Sequence, residues 1–441
     1  VDYNRFHFSS GKGRCTFVTQ KQKTMKQRAI LFFFIGIMTG ILQAQTLTLK
    51  DAGQLFLKQN LSLIAARYDM DIAQAQVLQA RLFENPVISL EQNVYNRLNG
   101  KYFDMGKDGE SGVEIEQVIS IAGQRSNRIR LEKVNKEMAG YQFQEIMRTL
   151  HSELNERFVE TYFLTRNMAV YEKEITSLER LLAEMKLQQQ KGNISLMEAS
   201  RLEAMLLSLK KERNEQENQL VAARGELNLL LSLPADARPE LLLDESMLKQ
   251  LDLSQLSYAD LMARMTGRPD LKLARTYIRA SQANLKLQKS LAFPEVSFKG
   301  TYDRAGNFIN NYFAVGISFS VPIFNRNQGN IKSARIEIMK ADKEKEYAMG
   351  KAEMELFTAY SQLEKAMNLY QSVDSDLEQN FEKLIAGVNE TFRKRSISLL
   401  EFIDYYESYK ETCIQLYDTR KDLLLAMENL NRVIGQNVFN Y

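Results

Sequence analysis

From Ala199 the apolar positions run Leu202, Leu206, Leu209, then Arg213 and Gln216, then Leu220, Ala223, Leu227 and Leu230. Steps of three and four predict a helix that lays one narrow seam against a partner. The stretch before it has the same habit, with Phe143, Met147, Leu150, Leu154, Phe158, Thr161, Thr165 and Met168 on one stripe. Its helical pattern lasts from 124 to 191, roughly 67 residues, which at ~1.5 Å each makes a rod of ~100 Å. Between rod and return helix lies KGNISLME, residues 191–198, and this octet comes back as KRSISLLE, residues 394–401. A bend that occurs twice, with matching helices on both sides, predicts a duplicated unit.

The first unit, 45–234, opens with an amphipathic stretch at 49–60 and a second helical run at 62–83. Asn85-Pro86 ends that run, because the residue before proline avoids the helical region. Residues 87–95 then alternate, a polar connection at 97–111 holds Gly100, Gly106 and Gly109, and 113–120 alternates again. Strand periodicity of this kind predicts a β-hairpin with a long loop. Asp104, Asp108 and Glu110 in that loop lack the spacing of a calcium loop and read as a solvated tip. The helical hairpin follows at 124–232, and Pro234 with Pro239 opens a linker at 235–255.

The second unit, 256–441, replays this order. Leu271 answers Leu63 and Pro294 answers Pro86 at an offset of 208; Ile397 answers Ile194 and Leu430 answers Leu227 at 203. The difference falls in the hairpin loop at 303–311. Strands are predicted at 295–302 and 312–321, and a helical hairpin at 328–435. Phe313, Val315, Ile317, Phe319 and Val321 occupy one side of the last strand and Ala314, Gly316, Ser318 and Ser320 the other. Bulky apolar residues outside and small ones inside suit a membrane barrel wall. The fold class is therefore mainly α with a small β part, in which four strands cannot close a barrel alone. Two chains would supply eight strands and three would supply twelve. The return helix of the first unit and the entry helix at 270–292, stacked end to end, nearly match the rod, with a waist at the linker.

Composition narrows the setting. A chain that is 44% hydrophobic and 26% charged has ample material for a core, and its net charge of +3 comes from Lys and Arg alternating with Glu and Asp. Those charges read as solvated helix faces, not as a nucleic-acid surface. Met25, the basic Lys26 and Arg28, the uncharged run 29–42 and Ala44 have the layout of a secretory signal peptide at 25–44, with 1–24 an upstream or non-native extension. Past it remain a single histidine, His151, and a single cysteine, Cys413, so no catalytic, cofactor or metal site is expected.

With the duplicated order of helix, strand hairpin and helical hairpin laid out, the chain resembles the TolC family of outer-membrane efflux channels. Asn85-Pro86, Phe293-Pro294 and both bends carry the resemblance across nearly the whole mature chain. VISIAGQRSNR, residues 118–128, and VPIFNRNQGNI, residues 321–331, are similar to the outer component of heavy-metal efflux systems of the Czc and Cus type. The resemblance implies a homotrimer in the outer membrane, with a shared twelve-stranded barrel in contact with lipid and a helical tunnel across the periplasm. It implies a periplasmic adaptor that meets the bends at Gly192, Asn193, Ile194, Ser195 and Leu196 and at Arg395, Ser396, Ile397, Ser398 and Leu399. An inner-membrane pump of the RND type would drive export. Acidic rings in such pores would match Glu401 and Asp404, with Glu198 as a partial match because Arg201 replaces the second carboxylate. The expected cargo is heavy-metal cations; drugs, detergents or secreted polypeptides are the alternatives within the family, and a coiled-coil surface scaffold or an exported hydrolase the alternatives outside it.

Overall fold

In the computed structural model the described residues are 46–439 apart from 254–255, 305–308 and 374–376. The expected signal peptide and upstream extension lie outside them. Every element below belongs to the unit Leu47–Tyr441. Helices α1 (Leu49–Gln59) and α2 (Leu61–Gln79) lead into strands β1 (Val87–Gln92) and β2 (Ser111–Ser120). The rod α3 (Gln124–Gln190) turns into the return helix α4 (Leu196–Leu230). After the linker come α5 (Tyr258–Met265), α6 (Pro269–Ser290), β3 (Glu295–Asp303) and β4 (Tyr312–Phe319). The second hairpin is α7 (Gln328–Ser372), α8 (Leu377–Arg393) and α9 (Leu399–Ile434).

The duplication is present, and three details differ from the sequence reading. The first strand stops at Gln92, and the expected continuation instead forms a small hairpin, Tyr95–Asn96 against Lys101–Tyr102. The second rod is not continuous: α7 closes on an extended Val373 and α8 begins at Leu377. The sequence across that interval, Val373-Asp374-Ser375-Asp376, is rich in residues that favour caps over helix interiors. Third, the rod α3 is buried on more than one stripe. Leu154, Phe158 and Met168 are buried as the seam requires, but so are Val159, Phe163, Leu164, Val170 and Tyr171. The reason is tertiary: α3 packs against α1, α2, α4, α6 and α9 together.

The four strands make one antiparallel sheet in chain order, β1-β2-β3-β4. Register fixes its two sides. Leu90 pairs with Val113, Val113 with Tyr302 and Tyr302 with Phe313; Ile88, Ile115, Gly300 and Val315 form the next such row. Cross-strand partners point the same way, so these residues form one apolar side. That side is open to solvent in a single chain: Val315 is 93% exposed, Leu90 76% and Phe313 75%. The opposite side carries Lys299, bonded at 3.1 Å to Glu114 and 3.3 Å to Glu116. Among the described residues no helix is long and apolar enough to cross a membrane.

Candidate functional site

Two places concentrate chemistry, the waist and the paired bends. At the waist, Asn60 caps α2 by accepting from Leu63 N at 2.8 Å and donates to the last carbonyl of α4, Leu230 O, at 2.8 Å. In the second unit Arg268 sits at the start of α6 and donates to Val433 O at 3.0 Å, near the end of α9. Each return helix thus meets the entry helix of its own unit. The expected stacking of α4 onto the next unit's entry helix is corrected by these bonds. Arg268 is 3% exposed and is neutralised by Asp270 at 2.7 Å and Glu355 at 2.9 Å. Burial would raise the Asp270 carboxyl, but the Arg268 guanidinium outweighs it and holds the group below the usual carboxylate value. The linker is pinned there too, because Glu245 accepts from Tyr162 Oη at 2.9 Å and pairs with Arg420 at 3.2 Å.

The bends are built alike. Gly192 turns the first in a left-handed conformation, φ +76, which a residue without a side chain adopts freely. Arg395 turns the second at φ +58 and offsets that conformation with a 2.8 Å bond to Asn193 O of the neighbouring bend. Each return helix then starts with a reciprocal capping box. Ser195 Oγ accepts from Glu198 N at 3.2 Å while Glu198 accepts from Ser195 N at 3.0 Å; Ser398 and Glu401 repeat this at 3.2 and 2.7 Å. The backbone and hydroxyl bonds from those serines hold both carboxyls below the usual range.

Of the residues named for the acidic ring, Glu198 and Glu401 are therefore bend-formers as well as exposed charges, and Asp404 is an exposed carboxylate one turn on. Arg201 faces solvent at the equivalent place in the first unit. The bends come together around a cleft of about 880 Å³ lined by Asn193, Ile194, Glu198, Arg395, Ile397 and Leu399. At the start of the two return helices Leu196, Met197 and Leu400 are 61–76% exposed.

Below the bends a seam joins the hairpins. Phe402 stacks on Phe392 with centroids 4.4 Å apart, Tyr406 donates to Ser177 Oγ at 2.7 Å, and Arg393 pairs with Glu184 at 3.0 Å. Lys410 of α9 pairs with Glu212 of α4 at 2.7 Å. Glu174 lies in this seam, 3% exposed, with Oε1 left without a hydrogen bond. Burial pushes its carboxyl up to about 8; Lys410 and Lys173 oppose the shift and Glu212 adds to it. Nothing in the heptad pattern singled out Glu174 or Arg268, since a charged residue inside a helical run reads as surface. His151 is half-buried with an edge contact to Phe56, centroids 6.3 Å apart, and burial lowers its pKa.

Residues 265–436 match the outer membrane efflux protein family. Over 423 residues the chain is 24% identical to the cobalt-zinc-cadmium resistance protein CzcC of Cupriavidus metallidurans, covering 89% of this chain and 91% of that protein. It is 20% identical over 295 residues to the pyoverdine export outer membrane protein OpmQ of Pseudomonas putida, 66% of this chain and 59% of that one. Its fold superposes on a crystal structure of CusC, described for transmembrane channel formation, with a TM-score of 0.70 at 17% identity, covering 88% of this chain and 92% of that one. With this fold and its duplicated plan, the second unit carries the match to the outer membrane efflux protein family, and the chain as a whole is similar to CzcC in sequence and to CusC in fold.

Proposed function

We propose that the chain is the passive outer-membrane conduit of a tripartite system that exports small substrates, with heavy-metal cations as its cargo. The observation that carries this reading is the four-stranded sheet, whose apolar side is exposed and whose edge strands β1 and β4 have no partner among the described strands. Exposed edges of this kind invite pairing with another chain. Three chains would set β4 of each beside β1 of the next and close twelve strands, with the apolar side toward lipid and the side of Glu114, Glu116 and Lys299 toward the lumen. The bends would then lie ~100 Å from the barrel, since α3 starts three residues past β2 and runs 67 residues.

A periplasmic adaptor meets the bends, where Leu196, Met197 and Leu400 offer apolar contacts around a polar cleft, and an RND-type inner-membrane pump supplies the energy. Asp404, with the free oxygen of Glu401, brings three negative charges per ring to the mouth and favours cations there. The cargo assignment is supported by the likeness to CzcC. The likeness to OpmQ supports a second reading, export of an organic chelator, by the same conduit.

Deletion of the gene followed by growth on zinc, cobalt, copper and a drug and chelator panel separates the two. Lost metal tolerance supports the first reading, and intact metal tolerance with lost chelator or drug tolerance transfers the cargo to the second. Purified protein in a planar bilayer should conduct; a silent bilayer would remove the conduit itself and leave a surface scaffold.

A further inference from the structure

The connection between β1 and β2, residues 93–110, is an ordered loop built on Asp104, which is 6% exposed. Its carboxylate accepts from Asn96 Nδ2 at 3.0 Å, from Gly106 N at 2.8 Å and from the Asn99 side chain. Asn96 also donates to Asp108 O at 2.7 Å, and a Cβ on Gly109 would stand 1.7 Å from Asp104 O. The chain is folded tightly on itself there: of the three carboxylates expected at a solvated tip, Asp108 and Glu110 are exposed and Asp104 is buried. Yet the shape leaves large apolar side chains outside: Leu98 is 90% exposed, Met105 74%, Tyr102 72% and Phe103 61%. A loop that can close around a buried carboxylate but presents these four side chains has a surface for something apolar.

Register decides which way that surface faces. Gln92 pairs with Ser111, and Arg304 follows Asp303, the partner of Gly112, with Arg304 N bonded to Ser111 O at 3.0 Å. Strand alternation therefore puts the Gln92, Ser111 and Arg304 side chains in one row on the apolar side of the sheet, next beyond Leu90, Val113 and Tyr302. These are the side chains that hold the loop. Gln92 Nε2 donates to Asp104 O at 3.2 Å, Arg304 Nη1 donates to Met105 O at 2.7 Å, and Ser111 Oγ steadies Gln92 at 2.7 Å. A loop acting as a plug over the lumen would be held from the opposite row, that of Glu91, Gly112 and Asp303. Apolar rings lie on either side of the polar row of Gln92, Ser111 and Arg304: Tyr302 and Phe313 sit 4.8 Å apart at the end of the sheet, and Tyr95 and Tyr102 sit 4.9 Å apart within the loop.

We infer that residues 93–110 form a membrane-interface anchor, folded outward over the lipid-facing side of the barrel wall with Leu98, Tyr102, Phe103 and Met105 set into the outer leaflet. The occupant is a lipid surface, because the loop is held from the side of the sheet that faces lipid in the barrel reading, on which this inference rests. Aromatic residues at such a boundary place their rings at the head-group level. Arg97, Lys101 and Lys107 are exposed among them and suit the phosphates of that layer, with Asp108 and Glu110 on the returning limb.

The chain has no tryptophan, so a single introduced indole reports its own surroundings. Leu98→Trp, Met105→Trp and, as a reference in the wall, Val315→Trp are reconstituted as full-length protein into phosphatidylcholine vesicles. Quenching is read with lipids brominated near the head group and with aqueous iodide. The expected result is a roughly twofold loss of emission to brominated lipid in both loop variants with little loss to iodide, as for a side chain ~5–10 Å into the interface. Iodide quenching of both loop variants while the wall variant stays lipid-quenched would overturn the anchor and leave the barrel standing. Protection of the two loop indoles from both quenchers would also overturn it, in favour of packing against protein. A wall indole that brominated lipid does not reach would bring down the barrel reading itself.

Discussion

At the same point of the duplicated plan the first unit joins its helices with Asn60 and the second with Arg268. Both side chains reach the terminal carbonyls of a return helix, at Leu230 and Val433. A neutral amide needs only its hydrogen bonds, whereas a buried guanidinium needs compensating charge, and Asp270 and Glu355 supply it. The rods differ in the same sense. α3 is one helix, with Leu178, Leu181, Leu182 and Met185 buried over its last turns, while the second rod is interrupted between Ser372 and Leu377, and among the described side chains of α8 only Ile385 and Val388 are buried. The first hairpin is thus a continuous strut and the second carries a helix break after Ser372. A mouth that must open is better placed on an element of low local stability than on the core.

Arg268→Ala should separate the two joins most sharply. It strands two carboxylates and should cost about 3–5 kcal/mol. Asn60→Ala should cost about 1–3 kcal/mol, the loss of a buried bond and a cap. Denaturant unfolding of the detergent-solubilised protein followed by circular dichroism gives both values; equal costs would erase the distinction. The Arg268 join is also acid-sensitive in a defined direction. Because the Asp270 carboxyl is held below its ordinary value of 3.8, its stabilisation is present above that value and is lost as pH falls through the lowered one.

The seam has the opposite dependence. Glu174 rises from 4.5 to about 8 on folding, so its contribution is fully present below pH 4.5 and fades as pH climbs through about 8. Glu174→Gln should stabilise the protein by about 1–3 kcal/mol at pH 8, with little gain at pH 4, because it removes a buried charge and keeps a polar group. Equal melting shifts at both pH values would disprove it.

Hydrogen exchange tests the rods directly. Amides of 377–393 should exchange at least about 10-fold faster than those of 174–190, because a segment beyond a helix break opens without unzipping a continuous rod. The smallest effect expected is at the mouth itself: Asp404→Asn should lower cation selectivity in single-channel records without changing melting, whereas Glu401→Gln also weakens the Ser398 cap. An unaltered Asp404→Asn record would take the gate away from the second hairpin.

Much of the fold was legible because heptads and alternation are local signals. The return-helix seam is buried from Ala199 to Leu230 with Arg213 and Gln216 half-exposed, and the outward row Phe313, Val315, Ile317, Phe319 lies on one side of the sheet. The candidate site was legible as a pair of bends, through Ser195, Glu198, Ser398 and Glu401, because a capping box is written within four residues. The break after Ser372 had a signal in its Asp-Ser-Asp run, masked by the apolar stripe on either side.

The sequence by itself determined the duplication, the helical hairpins, the alternating strands and the positions of the bends, since each follows from neighbours a few residues apart. Only the tertiary structure decided which helix stacks on which, that Arg268 and Glu174 are buried, and that the loop around Asp104 leans to the apolar side. Those outcomes depend on what a distant segment places beside a side chain, and the charge, burial and orientation of a residue are set by that company, not by its own position in a repeat.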